Sequence, residues 1–372
     1  MLDSFYIKNF RLFKELKIEQ FRRVNLIIGR NNSGKTGLLE ALRLYAKNAS
    51  PRTLYELIME RDEDWEIRRQ PENEEQSLQD IENPLRHLFY SYHFPKQLGD
   101  NNGIEIGSLK TIQDRLTLQV YQYQTIETEN GQRFIRVDDT QLLEIENTES
   151  VIEIKIANQI KSRVRLNNIE TLRRTFPYRL SSHDAKLNVQ VVPTQAINND
   201  KIATLWDNIN VQPSLREEVF HGLQLIDSTI QEMVLVGRGG DTTPILIYQN
   251  GEKRIPLTSL GDGMTHLFHI ILALINAKEG FLLIDEFENG LHYTVQPKVW
   301  ELIFKLATAL NVQVFATTHS KDCVEGFHSV WENQEEDGTL HRLENDPDDG
   351  ASVIPYECEL VSYALENDGE IR

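Results

Sequence analysis

The stretch Gly29-Arg30-Asn31-Asn32-Ser33-Gly34-Lys35-Thr36 constrains this chain most, because the apolar run Val24 to Ile28 leads into it and helical spacing leads out of it. A strand, a glycine-bearing loop and a helix follow one another. Glycines let the backbone curl so that successive N–H groups face one anion, Lys35 can reach the outer phosphates, and the Thr36 hydroxyl can ligate Mg²⁺. The helix N-terminus adds its partial positive charge. The expectation is a nucleotide phosphate site made by Gly29, Arg30, Asn31, Asn32, Ser33, Gly34, Lys35 and Thr36.

A second half of such a site lies far downstream. Phe281-Leu282-Leu283-Ile284-Asp285-Glu286 is an apolar strand ending in two adjacent carboxylates, the form of a Walker B strand. If that strand lies in the same sheet, its end lies beside the phosphate loop, so Asp285 can hold the Mg²⁺ shell directly or through water. Glu286 would polarise the attacking water. From Lys35 to Asp285 is 250 residues (285 − 35), too long for a compact nucleotide-binding domain without an insertion.

Ahead of this strand, Leu257-Thr258-Ser259-Leu260-Gly261-Asp262-Gly263 opens a helix expected over residues 264 to 278. Ser259, Gly261 and Gly263 offer a hydroxyl and backbone N–H groups at a helix start, a second anion-binding surface; taken alone, a helix cap explains them equally well. Glu288-Asn289-Gly290-Leu291-His292 follows the carboxylate pair, and Val312 to Ala316 forms another apolar strand that runs into Thr317-Thr318-His319-Ser320. His319 at that strand end can hydrogen-bond a γ-phosphate; a core histidine with its own partner is the ordinary alternative.

Between the two halves the periodicity changes. Residues 3 to 8 and 16 to 20 read as short strands, and the loop helix runs to about Lys47 with Pro51 beyond its end. Residues 60 to 83 turn acidic and polar, which reads as a solvated excursion. From Ile104 to Ala157 apolar residues alternate, and Asn130-Gly131 marks a hairpin, so an antiparallel sheet is expected. Lys161, Arg163, Arg165, Arg173, Arg174 and Arg179 form a basic patch that either meets DNA phosphates or an acidic partner, or is a solvated helix face. Asn188 to Val192 reads as a strand, helical spacing runs from Leu215 to Met233, and Pro244 to Leu257 forms a hairpin about Asn250-Gly251.

Charge and cysteine usage bound the setting. Lys+Arg 39 against Asp+Glu 57 gives net charge −18, which argues against a broad nucleic-acid-coating surface and leaves room for a local basic groove. Cys323 and Cys358 form no CxxC pair and no disulfide framework, as in a reducing cytosol. Leu267 to Ala277, the most apolar segment, is shorter than the roughly 20 residues of a membrane span, so a cytoplasmic protein with no membrane contact is expected.

As a set, Ile7-Lys8-Asn9-Phe10-Arg11-Leu12-Phe13, the loop Gly29 to Thr36, Ser259 to Gly263, Leu283 to His292 and Gln313 to Ser320 resemble the OLD-like branch of SMC/RecF-type ABC ATPases. The likeness covers residues 1 to 50 and about 240 to 330. It implies an α/β fold, an ABC-type P-loop ATPase head with an antiparallel β subdomain and a helical insertion. The division it implies is 1–50 for the N-terminal part of the core, 51–240 for the inserted lobe, 241–330 for the C-terminal part of the core, and 331–372 for a tail packing on core or partner. It further implies ATP and Mg²⁺, with Lys35, Glu286 and His319 catalytic, Thr36 and Asp285 at the metal, and closure as a homodimer in which Ser259, Gly261 and Gly263 of one copy meet the nucleotide of the other.

Two features depart from the family: the signature reads Ser-Leu-Gly-Asp-Gly, and Gln195 is the candidate for the Q-loop. OLD proteins also carry a Toprim nuclease domain, and the 53 residues after His319 (372 − 319) are too few for one, so a separately encoded Toprim-like effector is expected. Asp346-Pro347-Asp348-Asp349 reads as a solvated turn. The roles that follow are an ATP switch in prokaryotic anti-phage defence, a RecF-like DNA-binding repair ATPase using Lys161 to Arg179, or an ATP-dependent assembly scaffold with little turnover.

Overall fold

In the computed structural model the described residues are 1–65, 83–95, 102–128, 131–137, 148–166, 185–194, 199–210, 212–238, 241–249, 253–346 and 350–367. Six strands form the central sheet, in the order Gly350–Tyr356, Gly338–Asp346, Val24–Ile28, Gln313–Thr318, Phe281–Ile284, Val189–Val192. All neighbours run parallel except the first two, which pair as a hairpin. Val24–Ile28, Phe281–Ile284 and Gln313–Thr318 are buried at every position, the unbroken apolar pattern of strands covered on both faces.

Within those strands alternate residues feed two cores. Val24, Leu26, Leu282, Ile284, Val314 and Ala316 pack with the helices Asp262–Asn276, Gln296–Ala309 and Lys321–Trp331. Ile27, Phe281, Leu283 and Phe315 pack on the loop helix Lys35–Ala46, through Leu38, Leu42 and their neighbours. The far side of that helix meets a second, seven-stranded antiparallel sheet, whose Ile7, Ile106, Leu118 and Ile154 join the same core. The loop helix is therefore clamped between two sheets. Burying one leucine there contributes about 1.5–3 kcal/mol, and several are buried.

The antiparallel sheet is not confined to the insertion. Phe5–Phe10 and Phe13–Ile18 pair with each other, and Phe5–Phe10 also pairs with Ile104–Gly107. Leu116–Thr128, Gly131–Arg136, Thr148–Ile156 and Gln159–Arg165 complete it; Thr128 pairs with Gly131, so the expected hairpin forms with Gly131 in its strand, while residues 129 and 130 lie outside the described residues. Asp241–Tyr248 and Arg254–Pro256 also pair about the second Asn-Gly, which itself lies outside the described residues.

Several local expectations are corrected. Ile230 and Met233 lie three apart and fit helical spacing, but they belong to the strand Ile230–Arg238. A bulge between Ile230 and Glu232 shifts the side-chain alternation, which puts both residues in the core. Helices cover only Asn199–Asn210 and Pro213–Gln224 of that region. Pro51 opens the helix Pro51–Met59, capped by Ser50 accepting from the Thr53 N–H, since proline fits the first helical turn. The signature helix starts at Asp262.

The acids after residue 60 are not simply solvated. Glu60 pairs with Arg43 at 2.7 Å and Glu63 with Arg11 at 2.5 Å; residues 66–82 lie outside the described residues. Lys161, Arg163 and Arg165 sit on a strand, not a helix face, while Arg173, Arg174, Arg179, Gln195 and 347–349 lie outside the described residues. Residues 338–356 supply two strands of the central sheet, one directly beside Val24–Ile28. No helix among the described residues is long and apolar enough to cross a membrane.

His341, in the strand beside Val24–Ile28, is 3% exposed, and one ring nitrogen meets the Gln20 carbonyl at 2.8 Å. Burial pushes its pKa down to about 4, against that hydrogen bond; His269 is likewise pushed down to about 4 by burial. An unfolded histidine titrates near 6.5, so between about 6.5 and 4 the unfolded chain binds more protons and stability falls as pH falls. The urea midpoint should therefore drop between pH 7 and pH 5. His341→Gln should flatten that pH dependence whatever it does to stability at pH 7; an unchanged slope would count against a neutral buried imidazole.

Candidate functional site

The three fully buried parallel strands end at one edge of the central sheet, and their carboxyl ends deliver the predicted groups together. Val24–Ile28 runs into the loop, where Gly29 at φ 156°, Asn32 at φ 65° and Gly34 at φ 103° all take positive φ, and Gly34 is followed by the helix from Lys35. A Cβ on Gly34 would lie 2.7 Å from the buried Phe13 ring, so glycine is required there by both conformation and space. Asn32 adopts a conformation that asparagine tolerates better than most side chains.

The Thr36 Oγ1 donates to Asp285 Oδ2 at 2.9 Å, and the Thr317 Oγ1 donates to Asp285 Oδ1 at 2.6 Å. Asp285 is thus held from both sides. Thr317 also accepts from the Glu286 backbone N–H at 3.0 Å, fixing the turn in which Glu286 adopts φ 51°. A side chain in that sparsely populated region persists only where its surroundings enforce it. Sequence reading named the Thr317 stretch without giving this residue a task; its signal is the hydroxyl two positions before His319, at the end of the strand that separates Val24–Ile28 from Phe281–Ile284.

Lys35 Nζ donates to the Gly29 and Arg30 carbonyls at 2.7 and 3.0 Å. Burial pushes its pKa down, while the carboxylates of Asp285, Glu288 and Glu286 push it up. A cation with three acids near it suits a polyphosphate carrying a divalent metal: the Thr36 hydroxyl and Asp285 carboxylate are hard oxygen donors of the kind Mg²⁺ takes alongside phosphate oxygens.

Lys35, Thr36, Asp285 and Glu286 line a cleft of about 310 Å³, together with Arg11, Arg61 and Tyr92. Arg11 is 3% exposed and meets Glu40 and Glu63. Burial pushes the Glu40 carboxyl up, against the opposing pull of Arg11 and Arg61. This ion-pair cluster joins the first hairpin, the loop helix and residues 61–63 at the cleft wall.

Ser259, Gly261 and Gly263 do not line that cleft. Ser259 and Gly261 are exposed, and nothing lies within 4 Å of where a Gly261 Cβ would be. Gly263 instead touches the turn after Glu286: a Cβ on it would lie 2.1 Å from the Gly290 carbonyl oxygen. One turn along, burial pushes the pKa of the buried His266 ring down, against an opposing contribution from the Phe287 backbone. His319 is half exposed at its strand end, with Nδ1 and the backbone N–H both 3.0 Å from Glu288 Oε1. It too is absent from the cleft lining.

The Gly263 contact makes a prediction. Gly263→Ala must displace backbone and should cost about 1–3 kcal/mol in urea unfolding, while Ser259→Ala, on the exposed turn, should be close to neutral. Equal midpoints for both variants would remove the contact.

Residues 24–322 match the family described as AAA domain, putative AbiEii toxin, Type IV TA system. Over its length the chain is 25% identical to a Helicobacter pylori protein named ATP/GTP phosphatase, covering 99% of each. A stretch of 52 residues is 50% identical to the DNA replication and repair protein RecF of Lactobacillus gasseri, 14% of each chain. The fold is similar to an SMC head solved bound to the C-winged helix domain of ScpA, with TM-score 0.52 and 11% identity over 96% of this chain and 99% of that one. The parallel sheet with its phosphate loop, the curled antiparallel sheet over the loop helix and the match over residues 24–322 agree: the chain belongs to this AAA-domain family and is an ATPase with the fold of an SMC head.

Proposed function

We propose that the protein is a nucleotide-operated switch in which two copies close on ATP and separate after hydrolysis. One observation carries this reading: Lys35, Thr36, Asp285 and Glu286 share a cleft, whereas Ser259 and Gly261 of the same chain are exposed and outside it. A second copy can bring that exposed helix start to the nucleotide. ATP held between two copies binds only the closed state, so its binding energy favours closure.

In this reading the loop from Gly29 to Thr36 cradles the phosphates, Lys35 neutralises the outer ones, and Thr36 and Asp285 hold Mg²⁺. The metal supplies charge neutralisation at the phosphates. Glu286 polarises the attacking water, and Thr317 keeps Asp285 and Glu286 oriented. His319, tethered to Glu288, turns to the γ-phosphate on closure. The biological role we infer is prokaryotic defence, which the toxin–antitoxin description of the family supports; the effector in this reading is a separately encoded, Toprim-like protein.

A second reading, RecF-like DNA binding, is favoured by the 52-residue match to RecF and by Lys161, Arg163 and Arg165 on the outer strand of the antiparallel sheet. Arg163 and Arg165 are about half exposed but meet Glu153 and Glu149, which weakens their pull on phosphates. Salt-dependent DNA binding lost on replacing these arginines would favour it.

Lys35→Ala should abolish ATP binding. Glu286→Gln should retain binding and slow hydrolysis by roughly 10² to 10⁴, the usual worth of a positioned acid–base group. Light scattering should then show a dimer of Glu286→Gln that forms with ATP and is prevented by Ser259→Arg; a dimer indifferent to both would sink the switch. Thr317→Val should lower turnover roughly 10- to 100-fold, as loss of an orienting partner commonly does, while Thr317→Ser stays near the parent.

A further inference from the structure

The cleft that holds Lys35 and Thr36 is also lined by Arg61 and Tyr92, which belong to neither of the sequence patterns that announce a phosphate site. Tyr92 is 41% exposed, whereas Phe13, the other aromatic side chain of the lining, is fully buried against Gly34. Tyr92 is therefore the exposed ring in the cleft among the described residues.

Its placement is enforced. Ser91 and Tyr92 are consecutive non-glycine residues with φ 61° and 62°, a conformation that L side chains adopt only when held. The Tyr92 N–H donates to the Phe89 carbonyl at 3.0 Å, Arg86 reaches the Tyr92 carbonyl at 3.5 Å, and the ring lies 5.8 Å from the His87 ring. Phe89 is buried and its ring packs edge-on against Phe94, which anchors the segment.

Arg61 completes the wall. Its Nε donates to Glu40 Oε1 at 2.6 Å, which fixes the guanidinium plane. Aromatic rings and guanidinium planes are the two surfaces on which nucleobases stack, at a worth that hardly depends on which base is present.

We propose that Tyr92, backed by Arg61, is the base platform of the nucleotide site, and that it holds purine nucleoside triphosphates by stacking, without reading the base edge. This rests on the cleft being the nucleotide site. ATP and GTP then bind with similar affinity, the phosphate loop supplying the anion contacts common to both.

The test compares ATP, GTP and inorganic tripolyphosphate, each with Mg²⁺, by calorimetric titration of the full chain. Tyr92→Ala should weaken ATP and GTP alike, by roughly 10- to 100-fold, and leave tripolyphosphate unchanged; Tyr92→Trp should restore both nucleotides. Unchanged ATP affinity in Tyr92→Ala, equal losses for ATP and tripolyphosphate, or a parent chain that strongly prefers one purine would each overturn the platform. A parent that binds neither ATP nor tripolyphosphate, or a Lys35→Ala variant that binds ATP as the parent does, would instead overturn the nucleotide reading beneath it.

Discussion

Asp285 is gripped by two hydroxyls, and that grip sets the geometry of the whole site. Thr36 comes from the loop helix and Thr317 from the neighbouring strand, at 2.9 and 2.6 Å. The carboxylate can bond both only if Val24–Ile28, Gln313–Thr318 and Phe281–Ile284 are parallel, in register and ended at the same edge. Everything else keeps those ends in place. The helices of one core press on one face, and the loop helix, itself covered by the antiparallel sheet, presses on the other.

Charge is managed in two different ways around this point. On the cleft wall Arg11 and Glu40, both buried, pair with each other and with the more exposed Glu63 and Arg61, and removing Arg11 would strand Glu40 in a poorly solvated place. On the floor Lys35 faces Asp285, Glu286 and Glu288 without a close carboxylate bond, its ammonium turned to backbone carbonyls. The first arrangement stiffens the junction of hairpin, helix and loop. The second leaves a cation free to exchange carbonyl oxygens for phosphate oxygens.

Legibility followed the kind of signal each element carries. The loop and the carboxylate strand were readable because their chemistry demands fixed residue types at fixed spacing, and buried parallel strands such as Val24–Ile28 leave unbroken apolar runs. The start of Ile230–Arg238 carries a helical signal because its bulge imitates helical spacing at Ile230 and Met233. The pairing of Glu60 and Glu63 with Arg43 and Arg11 was invisible because partners 17 and 52 residues away leave no local pattern. Tyr92 has no local signal either: Phe89, Tyr90, Tyr92 and Phe94 crowd one short irregular segment, and nothing in that run says which ring lines the cleft.

The sequence by itself determined the chemistry on offer: a phosphate loop, two adjacent acids at a strand end and a histidine at another. Tertiary structure alone decided which of these meet. It joined Lys35, Thr36, Asp285 and Glu286 with Arg61 and Tyr92 in one cleft, and set Ser259 and Gly261 outside it. It also placed Gly338–Asp346 beside the loop strand, where nothing in its own composition points. The physical reason is that local chemistry is written in neighbouring residues, whereas proximity depends on how sheets stack and helices bury their apolar faces, a property of the chain taken whole.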